Sequence, residues 1–70
     1  MKFYILATRL SLDGYPEQLI VGYDNKPTDD FDEVLLFDSE KEAQAWIDSD
    51  AAKEWHNCDF NITKFIYFEG

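Results

Sequence analysis

Two short stretches of this sequence hold side chains that could do chemistry. The first is His56-Asn57-Cys58-Asp59, which offers an imidazole, a thiol and a carboxylate together. A cysteine nucleophile needs the imidazole within hydrogen-bond reach of its sulfur, and a third group to orient the ring. Residues i and i+2 at a helix end do not face each other, and no glycine-rich elbow or oxyanion-forming helix start accompanies them. The pattern therefore predicts a half-buried structural cysteine beside a surface histidine, with no catalytic residue. The second stretch is the loop from Asp24 to Asp32, in which Asp24, Asn25, Asp29, Asp30 and Asp32 are oxygen donors for a hard cation. A calcium loop sets acids at alternating positions, with a glycine at the sixth and a glutamate at the twelfth. That spacing is absent here, so neither a metal site nor a cofactor is expected. Carboxylate pairs occur in any chain this acidic, and 70 residues leave little room beside a core for a cleft of ~300 Å³. The expectation is a protein that is not an enzyme.

Charge is the stronger signal. Fifteen acids face six bases, for a net charge of −9. The excess is uneven. Residues 1–23 balance, with Lys2 and Arg9 against Asp13 and Glu17. Residues 24–54 hold eleven acids (Asp24, Asp29, Asp30, Asp32, Glu33, Asp38, Glu40, Glu42, Asp48, Asp50, Glu54) against Lys26, Lys41 and Lys53, a net −8. A surface of this sign repels nucleic acid and anionic membranes and attracts a basic protein, whose approach its field accelerates. Asp24, Asp29, Asp30, Asp32, Glu33, Glu40 and Asp48 are the candidate partner-binding residues.

The elements that must position these groups form one domain spanning residues 1–70. Such a short chain buries only about 60% of the surface it exposes when unfolded. Six Phe, four Tyr and two Trp compensate, each able to bury roughly 150–250 Å². Residues 2–12 read as a strand with both faces partly apolar: Phe3, Ile5 and Ala7 against Tyr4, Leu6 and Leu10. Asp13-Gly14-Tyr15-Pro16 is a turn, with Pro16 blocking further ladder bonding, and residues 18–23 are a second strand hairpinned to the first. After the polar loop, residues 33–37 read as a short third strand. Ser39 then suits a helix N-cap, and Glu42 completes a capping box. Ala43, Trp46, Ile47, Ala51 and Trp55 form the apolar stripe, with Glu40, Gln44 and Asp48 opposite. Asp48-Ser49-Asp50 prefers caps, so a break there, with a second short helix starting at Ser49 or Asp50, stands beside one continuous helix. Residues 60–68 are a long β-rich strand.

The fold class is thus α+β: a three- to four-stranded antiparallel sheet, one helix packed on one face, and the order β-β-β-α-β. One helix covers one face, so the other is expected to present uncovered aromatics, the mark of a binding surface or a dimer interface. Cys58 is the lone cysteine and suits a reducing compartment. The chain shows no signal-peptide pattern and no apolar run near the ~20 residues that span a bilayer, so a cytoplasmic protein is expected.

A helix over residues 40–55 would be about 24 Å long at ~1.5 Å per residue. Duplex DNA of that length carries about fourteen charges, or seven per strand. The net −8 can therefore imitate one strand. The segment Phe37-Asp38-Ser39-Glu40-Lys41-Glu42-Ala43-Gln44-Ala45-Trp46-Ile47, with the opening Met1-Lys2-Phe3, resembles stretches of small anti-CRISPR proteins. That resemblance implies a phage-encoded, stoichiometric inhibitor acting in the host cytoplasm, which blocks the nucleic-acid path of a host complex. Two functions follow as expectations. One is a non-enzymatic acidic module that occupies the basic surface of a nucleic-acid-handling protein. The other is a homodimeric module that uses its aromatic sheet face, with the acids serving solubility.

Overall fold

A computed structural model describes residues 2–66. Strand β1 (Lys2–Leu10) and strand β2 (Pro16–Val21) form an antiparallel hairpin, with Ala7 opposite Leu19 and Arg9 opposite Glu17. The reversal takes three residues. Gly14 donates its N–H to the Ser11 carbonyl at 2.9 Å and adopts φ +83°, a region that costs a side-chain-bearing residue about 1–2 kcal/mol. Pro16 does not end the ladder as expected. It opens β2 opposite Leu10, one residue after Ser11 and Tyr15 have bonded, at a position where an N–H is not required.

The sheet is four-stranded, in the order β3-β2-β1-β4. Strand β4 (Asp59–Phe65) runs antiparallel to β1 with Ile5 opposite Ile62. Strand β3 is the pair Pro27–Thr28, on the far edge of β2. The fold class is therefore α+β with an open antiparallel sheet. The part of the sequence that supplies the third strand differs from expectation. Glu33 instead ends a 3-10 turn (Phe31–Glu33), and residues 34–37 make two isolated bridges, Val34 to Gly22 and Phe37 to Phe3. β1 and β2 part beyond the Leu6–Ile20 pair, and this segment enters between them. Both bridges are antiparallel, yet β1 and β2 are antiparallel to each other. No straight strand can satisfy both neighbours, so the chain must bend between residues 34 and 37.

The capping box holds in an altered form. Ser39 Oγ accepts from the Glu42 N–H at 3.2 Å, while Glu42 reaches back one residue further than usual, to the Asp38 N–H at 3.1 Å. Helix α1 (Glu40–Ile47) stops at Asp48, and helix α2 (Asp50–Lys53) restarts after Ser49. The break is made by Ser49, whose hydroxyl donates to the Trp46 carbonyl rather than capping α2. Ile5, Val21, Ala43, Trp46 and Ala52 form the core, with Phe37, Trp55, Phe60 and Ile62 packed around it. The helices thus cover the sheet face that carries Ile5 and Ile62.

Candidate binding surface

The opposite face carries Tyr4, Leu6, Ile20, Thr28 and Phe65 by strand alternation. Phe31 of the 3-10 turn stands over it. Its ring meets Tyr4 edge-on at 5.5 Å and Phe65 at 6.0 Å, and Tyr4 meets Phe65 at 6.1 Å. Such contacts add about 0.5–1.5 kcal/mol beyond burial. Phe31 is nevertheless 51% exposed and Ile66 is 74% exposed, so an aromatic patch faces solvent. Expected aromatics Tyr67 and Phe68 lie outside the described residues.

The acids Asp29, Asp30, Asp32 and Glu33 surround Phe31 in sequence, and all four are exposed. Thr28 organises them. Its hydroxyl accepts from the Asp30 N–H at 3.1 Å and donates to Glu33 Oε2 at 3.2 Å. Asp30 caps the 3-10 turn by accepting from the Asp32 N–H at 2.9 Å. No cation within 4 Å pairs with any of these carboxylates among the described residues. The turn therefore carries four exposed carboxylates that flank Phe31 in sequence, outside any ion pair among the described residues, and it is held in shape by a threonine hydroxyl that no charge count would have singled out.

The other candidates lie elsewhere. Glu40 and Asp48 sit on α1, in the helical layer on the other side of the sheet. Asp48 takes a bond from the Gln44 amide at 3.4 Å. Asp24 accepts from the Lys26 N–H at 3.1 Å in the β2–β3 turn, beside Asn25. Asn25, counted in the loop only as one of the oxygens a cation could use, is exposed but has a structural role. Its side-chain oxygen accepts from Trp46 Nε1 at 2.9 Å, and its carbonyl from Trp55 Nε1 at 3.0 Å. That bonding ties the β2–β3 turn, and Asp24 with it, to the helical layer. The seven candidate acids therefore do not make one continuous patch. Nor does a 24 Å helical rod exist, because α1 is eight residues, or about 12 Å.

Of the eleven acids in residues 24–54, Asp38 and Asp50 are ion-paired, to Lys2 and Lys53. The Lys2 ammonium, by hydrogen bond and charge, holds the Asp38 carboxyl below its ordinary range. Cys58 is partly buried, and its thiol is directed at the backbone carbonyl of His56, 3.5 Å away, rather than at the imidazole. Among the described residues no group of three or more His, Cys, Asp or Glu converges as a metal site would require. None of the helices there is long and apolar enough to cross a membrane.

Comparison with known proteins returns no match: no family model fits the sequence, and no curated protein or solved structure matches it.

Proposed function

We propose that this chain is a non-enzymatic binding module that docks its acidic turn on a basic, nucleic-acid-binding surface of another protein. The observation that carries the reading is the turn itself: Asp29, Asp30, Asp32 and Glu33, exposed and without cationic partners among the described residues, flank in sequence the exposed ring of Phe31. Carboxylates left unpaired keep their field available to a partner, and an exposed aromatic ring on the same turn supplies apolar contact and a face for a lysine or arginine. A phage-encoded inhibitor of a host complex, as the anti-CRISPR resemblance implies, would work in this way by occupying the site that nucleic acid needs.

Charge reversal tests the reading, and the hydrogen bonds decide which residues to change. Asp30 caps the turn and Glu33 is held by Thr28, so Asp29→Lys with Asp32→Lys is the cleaner pair. Proteins captured from a bacterial lysate by the wild-type chain are expected to lose nucleic-acid binding on its addition. The double variant should require at least about tenfold more protein, roughly 1.4 kcal/mol, with a flatter salt dependence. Equal potency of the two would refute the proposal.

A second reading, the homodimer joined through the aromatic face, is favoured by the solvent exposure of Phe31 and Ile66 over Tyr4 and Phe65.

A further inference from the structure

The sheet ends on two unlike edges. β3 closes one of them with two residues, of which Pro27 has no N–H to offer a newcomer. β4 forms the other with seven residues, Asp-Phe-Asn-Ile-Thr-Lys-Phe, containing neither proline nor glycine. The bonding phase of β4 follows from β1. Phe3 exchanges both of its backbone bonds with Phe37, at 2.9 and 2.8 Å, so its polar groups point away from β4. Phe3 and Lys64 are consequently a non-hydrogen-bonded pair. By alternation Asn61 and Thr63 bond to β1, and the N–H and C=O of Phe60, Ile62 and Lys64 point outward. Among the described residues no backbone group meets them.

We propose that this edge joins two copies of the chain, β4 pairing antiparallel with β4 of the second copy about a two-fold axis at Ile62. A two-fold normal to the sheet is the symmetry that lays a strand antiparallel beside its own copy, and it sets one residue opposite itself. Centring on Ile62 engages every outward group of the strand. It places Ile62 against Ile62 and sets Phe60 opposite Lys64 of the second copy, ring beside ammonium. On the other face Asn61 comes opposite Thr63, two side chains able to hydrogen-bond. A shift of one residue in either direction carries one outward pair past the end of the strand.

Charge selects a second copy over a basic partner at this edge. β4 contains one acid, Asp59, and one base, Lys64, whereas residues 24–54 carry the net −8. Two chains of like charge repel least where each is neutral, and a basic protein is drawn elsewhere. The same symmetry keeps the faces of the sheet aligned. Both Phe31 turns then lie on one side of an eight-stranded sheet, although the edge pairing does not depend on the function proposed for those turns.

Sedimentation velocity from micromolar to millimolar protein, with amide exchange followed by NMR, tests the inference. The Asn61 and Thr63 amides are expected to be protected at every concentration. The Phe60, Ile62 and Lys64 amides should slow about tenfold or more as dimer forms. Added salt should strengthen the dimer by screening the repulsion between copies. Ile62→Pro removes an outward N–H that β1 does not use and should abolish association. Should that variant misfold, Lys64→Glu at low salt should weaken association about tenfold with an unchanged circular dichroism spectrum. A monomer throughout the range would overturn the proposal. So would a dimer whose Phe60, Ile62 and Lys64 amides exchange as fast as in the monomer, the result that association through the aromatic face would give.

Discussion

At the scale of single residues, Asn25 has the largest structural task for its size. It sits at φ +65°, and both of its oxygens receive an indole N–H. Trp46 is only 9% exposed, so its N–H has no ready substitute in water. Asn25→Ala should therefore destabilise the chain by about 1–3 kcal/mol for the stranded indole, with a further ~1 kcal/mol for the left-handed backbone. Asn25→Gly relieves only the backbone and should fall between Ala and wild type. Asn25→Asp keeps the acceptor and should cost least. Urea denaturation orders the three, and an Ala variant as stable as wild type would show that the Trp46 bond contributes nothing. The role was only half legible in the sequence. An asparagine among turn formers does announce tolerance of positive φ, but its partners lie 21 and 30 residues away, beyond the reach of any local pattern.

Among the elements, those with a local cause were readable and those with a nonlocal cause were not. Ser39 and Glu42 announce the start of α1 because a cap is made within four residues. The run Asp48-Ser49-Asp50 announces a break for the same reason, and the structure resolves that alternative in favour of two helices. The break also explains why Ala52 is buried although it lies off the stripe drawn for one continuous helix: α2 starts with a phase of its own. Residues 33–37 have the composition of a strand and become a bent insert, because the parting of β1 and β2 is a property of the assembled sheet. At its C-terminal end α1 places an acid, Asp48, against the negative end of the helix dipole. Asp48→Lys should accordingly stabilise the protein by about 0.3–1 kcal/mol at low salt, and Asp48→Asn by less. A thermal melt that fails to rise would mean that the α1 terminus has too little helix dipole for a charge to matter.

For the whole molecule, charge dominates. Sequence counting located the surplus correctly in residues 24–54, yet it could not tell that the sheet would divide those acids. Asp29, Asp30, Asp32 and Glu33 fall with the aromatic face, and Glu40 and Asp48 with the helical layer. Which carboxylates share a side depends on where the chain crosses the sheet. With most of the described acids outside any ion pair, self-repulsion opposes compaction. The melting temperature is therefore expected to rise by several degrees, equivalent to about 1 kcal/mol in a domain this small, as sodium chloride goes from about 10 to about 200 mM. A melting point indifferent to salt would indicate that the acids stand too far apart to sense one another.

Both tryptophans of the chain hang from the single β2–β3 corner and cross edge-on with centroids 6.2 Å apart. The protein therefore carries an intrinsic fluorophore pair that reads one side only. Opening of that corner is expected to alter the emission, while a ligand arriving at Phe31, across the sheet, should leave it unchanged.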